Sequence, residues 1–254
     1  MAEERKPLDG KVAIVIGAGK NIGRGIALAL ARDGASVVVN GRSDQDAVNG
    51  VVGEIEAAGG SAIPMLADVS REEDVTRLVS DTVARFGGVD IAVSNAGLRR
   101  QTPLVEMSFA EWREILSVAL DGAFLLARAC VPHMIERGGG AFIGMSGVSH
   151  HVGTAKRVHV NASKAGLEGL VRGLARELAP HNITVNAVAP GAIDTVRGAS
   201  SGVRPSAGSL AGIPLSRLGE VSEIAETVRF LVGPHGGYIT GQTIHVNGGM
   251  FLSK

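Results

Sequence analysis

The sequence has few of the residues that mark secreted, membrane-bound or nucleic-acid-binding proteins. Its 254 residues include one cysteine, one tryptophan and one tyrosine, and 25 basic residues balance 25 acidic ones. The lone Cys130 excludes an internal disulfide and is compatible with a reducing compartment, where it would serve as a small buried hydrophobe. Zero formal net charge argues against binding to nucleic acid or to an anionic membrane surface.

The N-terminal residues are not expected to act as a secretory signal. Residues 1–9 are charged and contain no apolar run, so we expect them to be flexible. No run approaches the ~18 apolar residues of a membrane span. The sequence predicts a single cytoplasmic domain that covers residues 1–254.

Glycine is abundant, with 36 residues, and it marks the most informative stretch of the chain. An apolar run from Val12 to Ile16 leads into a turn that contains Gly17, Gly19 and Gly23, and a helix follows. Such a turn lets the backbone approach a phosphate closely, and the free N–H groups at the helix start favour an anion there. This stretch predicts a site for the pyrophosphate of a dinucleotide, although its spacing departs from GxGxxG.

The end of the second predicted strand indicates which dinucleotide is bound. An NAD-binding unit places a carboxylate here to bind the adenosine ribose, but this chain has Arg42 and Ser43. Together with Lys20 they would bind a 2′-phosphate, which favours NADP over NAD. The alternative is that Arg42 and Lys20 are ordinary solvated charges.

Strands and helices alternate along the whole chain. This alternation predicts an α/β fold, a Rossmann-like doubly wound parallel sheet of about seven strands with helices on both faces. Residues 194–212, rich in Gly, Ser and Ala, are predicted to form a substrate lid. The later helices are predicted over 108–137, 157–179 and 222–233, and the last strand over 243–246.

The ordered motifs resemble those of the short-chain dehydrogenase/reductase family, and the pattern is similar to its 3-oxoacyl-carrier-protein reductase type. They are the glycine turn, Asp68-Val69, Asn95-Ala96-Gly97, Lys164 and Pro190-Gly191. The resemblance implies a cofactor pocket with these residues: Gly17, Lys20, Asn21, Ile22, Gly23, Arg42, Ser43, Asp68, Val69, Asn95, Gly97, Lys164, Pro190, Gly191, Ile193 and Thr195. The family's middle glycine is Asn21 here, a residue type that tolerates positive φ.

The reaction centre departs from the family pattern. Alignment places Val160, Gly147 and Ala119 where the family has its catalytic Tyr, Ser and Asn, and Ser146 lies one residue early. Only Lys164 of the four residues remains. Val160 cannot donate a proton, and the single tyrosine, Tyr238, lies near the last strand.

Other residues near this centre are candidates for the missing proton donor. Histidine titrates near neutrality, so His150, His151 and His159 are predicted as catalytic residues beside Lys164. Loop or surface positions are the alternative for all three. Arg157 could polarise a carbonyl or bind a carboxylate, but its guanidinium stays protonated and cannot serve as the acid.

The first hypothesis for function is an NADP(H)-dependent oxidoreductase that acts on a carbonyl, an alcohol or an activated C=C bond with a non-standard proton donor. Two alternatives remain open: a cofactor-binding pseudoenzyme or regulatory subunit, and a non-redox lyase or isomerase. We expect a small-molecule substrate, no metal, and, by the resemblance, a homotetramer.

Overall fold

The fold is organised by one parallel β-sheet. The computed structural model describes residues 6–196, 210 and 212–253. Within these residues, seven strands pair in the order β3-β2-β1-β4-β5-β6-β7, and every pairing is parallel. The strands are β1 Val12–Val15, β2 Ser36–Gly41, β3 Ser61–Leu66, β4 Ile91–Ser94, β5 Gly140–Met145, β6 Ile183–Pro190 and β7 Thr243–Val246. The predicted doubly wound sheet of about seven strands is confirmed.

Helices cover both faces of the sheet, because the central strands are buried on both sides and need apolar cover. One core includes α1, α2 and α8, and the other includes α3, α5 and α7. The α-helices that lie wholly within the described residues are α1 Asn21–Arg32, α2 Gln45–Ala57, α3 Glu72–Phe86, α4 Phe109–Leu116, α5 Gly122–Glu136, α6 Ser149–Val152, α7 Val158–Leu178 and α8 Val221–Val232.

The helix predicted over 108–137 is confirmed as one helical stretch, Phe109–Glu136, with a change of helix type inside it. A π-helical turn, Ser117–Asp121, separates α4 from α5. The same stretch, Phe109–Glu136, is long and apolar enough to span a membrane by length and composition, with a mean hydropathy of 1.7 over its best window. Its inner side is buried in the core at Ile115, Leu126 and Cys130, as in the core helix of a globular protein. Burial also raises the pKa of the Cys130 thiol, in agreement with its predicted role as a buried hydrophobe.

The predicted flexible segment 1–9 and the predicted substrate lid 194–212 are each described only in part. Part of the segment 1–9 is described, and there Leu8 is buried while its N–H donates to the Asp33 carbonyl. Leu8 therefore packs on the core although it lies in a charged segment, and the flexibility of residues 1–9 stays a prediction. Most of the predicted lid, 194–212, lies outside the described residues.

Candidate active site

A cleft lies at the carboxyl ends of β1, β2 and β4, with a cavity of about 370 Å³. This is the edge at which parallel α/β sheets bind ligands. Twelve of the predicted cofactor residues line it: Gly17, Lys20, Asn21, Ile22, Gly23, Arg42, Ser43, Asp68, Val69, Asn95, Gly97 and Thr195.

The glycine turn presents the start of α1 to this cavity. Gly17 adopts φ +64°, a left-handed conformation that favours glycine. Lys20, the N-cap of α1, makes no side-chain capping bond, and the first turn has no acidic residue. The helix start therefore offers uncapped N–H groups and no opposing charge, which fits the pyrophosphate of a dinucleotide.

Two buried or partly buried asparagines hold the turn in place. Asn95 Nδ2 donates to the carbonyl oxygens of Ile16 and Gly17, at 3.1 and 3.0 Å. Asn40 Oδ1 accepts from Gly17 N–H at 3.4 Å, and its Nδ2 donates to carbonyls of β3 and the loop after it. Asn95 therefore lines the pocket, as predicted, and also braces the glycine turn. The bracing role of Asn40 was not predicted.

The β2 end of the cleft is rich in exposed donors. Lys20, Arg42 and Ser43 are exposed and line the cavity. The carboxylate that follows them, Asp44, accepts from Ala47 N–H at 3.0 Å and caps α2. This end therefore presents two cations and a hydroxyl, which suits a phosphate better than a ribose diol.

Asn21, at the family's middle glycine, takes φ +52°. Asparagine adopts this conformation more readily than most residues. Its amide also bonds the backbone of Val196 in both directions, with Nδ2 2.8 Å from the carbonyl oxygen and Oδ1 2.9 Å from the nitrogen. The substitution thus ties the glycine turn to the segment that follows β6.

A second cavity, of about 250 Å³, adjoins the first at Ile22, Asn95 and Gly97. It contains the remaining predicted cofactor residues Lys164, Pro190, Gly191 and Ile193, and also Arg99 and Arg157. The two cavities together provide a dinucleotide cleft and an adjoining space for a second ligand.

Lys164, the one residue of the family's catalytic four that this chain keeps, lines the second cavity. Its Nζ donates to the Met145 carbonyl at 2.5 Å. Gly97 lies beside it, and a Cβ at that position would make an ordinary contact with Nζ, at 3.4 Å. Burial of the ammonium, together with the positive charge of Arg99, lowers the pKa of Lys164 to about 7. Lys164 is therefore poised to exchange a proton near neutrality.

The three positions at which this chain lacks the family's catalytic Tyr, Ser and Asn differ in their surroundings. Val160 lines the cavity with an apolar side chain. Gly147 also lines it, and a Cβ there would meet nothing within 4 Å. Ala119 is buried in the π-helical turn and is not among the lining residues.

The three histidines predicted as proton donors do not line either cavity. His159 is fully buried, accepts from Val160 N–H at Nδ1, and has Nε2 3.2 Å from Glu111 Oε1. His150 and His151 instead face Glu168. Their catalytic role stays a prediction, and in this structure their ring nitrogens contact Glu168 and Glu111 rather than the cavity that Lys164 lines.

Glu168 was not predicted. It lies one turn after Lys164 on α7 and is buried. Its Oε1 accepts from Ser146 Oγ at 2.7 Å, so the serine that lies one residue early is engaged with this carboxylate. Burial alone would raise its pKa, but contacts with His150 and Ser146 lower the pKa of Glu168 to about 2. The sequence feature that could have indicated Glu168 is an acidic residue on the core-facing side of the predicted helix 157–179.

The profile of a family described as enoyl-(acyl carrier protein) reductase matches residues 17–251 of this chain. The 3-oxoacyl-[acyl-carrier-protein] reductase FabG of Staphylococcus aureus is 41% identical over 244 residues, which are 95% of this chain and 98% of that protein. The chain belongs to the short-chain dehydrogenase/reductase family. It is an NAD(P)-dependent oxidoreductase of that family and acts on a small molecule.

Other short-chain dehydrogenase/reductase relatives extend the comparison. The 3-oxoacyl-[acyl-carrier-protein] reductase of Synechocystis is 39% identical over 96% of this chain and 98% of its own. A blue fluorescent protein from a metagenomic library, solved in complex with NADPH, is 34% identical with a TM-score of 0.91 over 97% of this chain and 100% of its own. Acetoin dehydrogenase YohF of Salmonella typhimurium is 35% identical, with a TM-score of 0.87 over 94% and 95%.

Proposed function

We propose that the protein is an NADP(H)-dependent reductase of a 3-oxoacyl thioester, and that Lys164 supplies the proton. The observation that carries this proposal is the position of Lys164. It lines the second cavity with a pKa near 7, where the family tyrosine is replaced by Val160. An acid whose pKa lies near the working pH is efficient in proton transfer.

The residues of the cleft fit NADP. The uncapped start of α1 would hold the pyrophosphate, while Lys20, Arg42 and Ser43 would hold the 2′-phosphate. The relative solved with NADPH supports the same choice of nucleotide. When bound, the nicotinamide supplies the hydride.

The chain's own residues then manage charge and protons. As the carbonyl carbon is reduced, negative charge develops on its oxygen, and the Lys164 ammonium donates a proton to that oxygen directly or through one water. Arg99 and Arg157 line the same cavity. Their positive charge would stabilise the developing oxyanion and attract an anionic part of the substrate. Solvent then returns a proton to Lys164.

The substrate class follows from the relatives rather than from the cavity. Two relatives that match almost the whole chain are named for 3-oxoacyl groups on acyl carrier protein. The matching family profile is described by an enoyl substrate on the same carrier. We therefore place the 3-oxoacyl thioester first and the enoyl thioester second.

The experiment is NADPH oxidation by the purified protein with an acetoacetyl thioester and, separately, a crotonyl thioester. We expect oxidation with the first, and a loss of about 10²-fold or more in Lys164→Ala, since a placed general acid contributes about 10²–10⁴-fold. Arg85→Ala, an exposed change on α3, is the control. Tight NADPH binding without oxidation of either thioester would contradict the proposal and favour a protein that only binds the cofactor.

We also propose that the protein is a homo-oligomer, with a tetramer as the expected form. Gly169 and Gly173 on the exposed side of α7 have open space where a Cβ would stand, and Phe109 and Phe124 on α4 and α5 are exposed. An exposed small-residue stripe permits close approach of a second helix. Sedimentation of a monomer at micromolar concentration would contradict this.

A further inference from the structure

Behind the second cavity, three potential metal ligands converge. His150, His151 and Glu168 each offer one ligand atom, and these atoms all lie within 4.8 Å of one another. The Nε2 atoms of His150 and His151 lie 3.2 and 3.1 Å from the same carboxylate oxygen, Glu168 Oε1. None of the three lines the dinucleotide cleft or the cavity of Lys164.

The two distances to Glu168 Oε1 match those between neighbouring ligand atoms of a metal site. A tetrahedral zinc ion holds its nitrogen and oxygen ligands at about 2.0–2.2 Å, which places neighbouring ligand atoms about 3.3 Å apart. His150 is informative, because its Nε2 lies close to Glu168 but makes no aligned hydrogen bond, and its buried Nδ1 has no hydrogen-bond partner. A buried imidazole without hydrogen bonds is costly unless another group uses its nitrogens.

The surroundings also suit a bound metal. Ser146 Oγ donates to Glu168 Oε1 at 2.7 Å, as an outer-shell residue does when it orients a carboxylate ligand. Phe251 stacks on His151, with ring centroids 4.6 Å apart, and His245 packs edge-on against the same ring at 4.6 Å. His245 Nδ1 is buried without a hydrogen-bond partner. Phe251 thus gives the cluster apolar cover, and His245 adds a further imidazole beside it.

We propose that His150, His151 and Glu168 bind a divalent transition metal ion, with zinc as the best match. Two imidazoles and one carboxylate form a typical ligand set for zinc. The site joins α6 to α7 and, through Ser146, to the end of β5. A bound ion would thus hold together the elements that form one wall of the Lys164 cavity.

The test is a calorimetric titration of the metal-stripped full chain with zinc chloride, beside cobalt(II) absorption spectra, which report tetrahedral coordination. We expect one zinc per chain. Glu168→Gln and His151→Asn should each weaken binding by more than about 100-fold, because loss of even an outer-shell partner costs 10–100-fold.

The matched control is His133→Ala, which removes a surface histidine 3.2 Å from Glu136 and should leave zinc affinity unchanged. NADPH binding verifies that each variant is folded. If Glu168→Gln does not fold, the cobalt spectrum of the wild-type chain decides. No binding by the wild-type chain, a spectrum without tetrahedral features, or affinity that does not change in Glu168→Gln and His151→Asn would overturn the proposal.

Discussion

Lys164 Nζ donates a hydrogen bond to the carbonyl oxygen of Met145, the last residue of β5, at 2.5 Å. This contact holds the ammonium beside the end of β5, in the lining of the second cavity. The lowered pKa, about 7, means that the group changes its protonation state within the working range of most enzymes.

The rate of carbonyl reduction should fall above pH 7. Below its pKa Lys164 carries the proton to be donated, and above it the amine does not, so the rate should drop about tenfold per pH unit at saturating NADPH. Stopped-flow NADPH oxidation between pH 6 and 9 measures this. In Lys164→Arg, which stays protonated, the fall should disappear even if the rate is low. A fall of the same midpoint in Lys164→Arg would mean that another group titrates.

The hydroxyls of the family's catalytic Ser and Tyr, which this chain lacks, can be introduced by substitution. Gly147 has open space at its Cβ and Val160 lines the cavity, so Gly147→Ser with Val160→Tyr should be accommodated. A placed tyrosine acid should raise the rate of carbonyl reduction by about 10²-fold or more. Gly147→Ser with Val160→Phe is the matched control, since it differs by one hydroxyl. Equal rates in the two double variants would show that the tyrosine is not placed to donate.

Nucleotide preference should depend on the exposed cations of the cleft. Arg42→Ala and Lys20→Ala should each weaken NADPH binding about tenfold or more and leave NADH binding nearly unchanged, because a hydrogen bond to a charged group contributes about 1.5–3 kcal/mol. Fluorescence titration with both nucleotides measures the ratio. Arg85→Ala, an exposed arginine on α3, is the control. An equal loss for NADH and NADPH would place these cations elsewhere than at the 2′-phosphate.

The glycine turn should tolerate no side chain at Gly23. A Cβ there would stand 2.2 Å from the Gly17 carbonyl oxygen and 2.6 Å from Asn95 Nδ2, so Gly23→Ala must displace the turn. We expect loss of dinucleotide binding and a lowered melting temperature. Gly53→Ala is the control, because that helical position has no neighbour within 4 Å, and alanine should stabilise α2 by about 0.5–1 kcal/mol.

Local sequence patterns were sufficient to predict the sheet and the dinucleotide cleft of this protein. The alternation of strands and helices predicted the sheet, and the glycine turn with Arg42 and Ser43 predicted the dinucleotide cleft. These features depend on residues a few positions apart, whose periodicity and backbone preferences act locally. The replacement of the family tyrosine by Val160 could also be read directly.

Only the tertiary structure decided where the titratable side chains face. The sequence could not show that His159 contacts Glu111, or that His150 and His151 on α6 contact Glu168 on α7. The lowered pKa of Lys164 also arises from tertiary structure, because burial and the charge of Arg99 cause it. Burial and convergence join residues far apart in the chain, and no local pattern encodes the distance between their atoms.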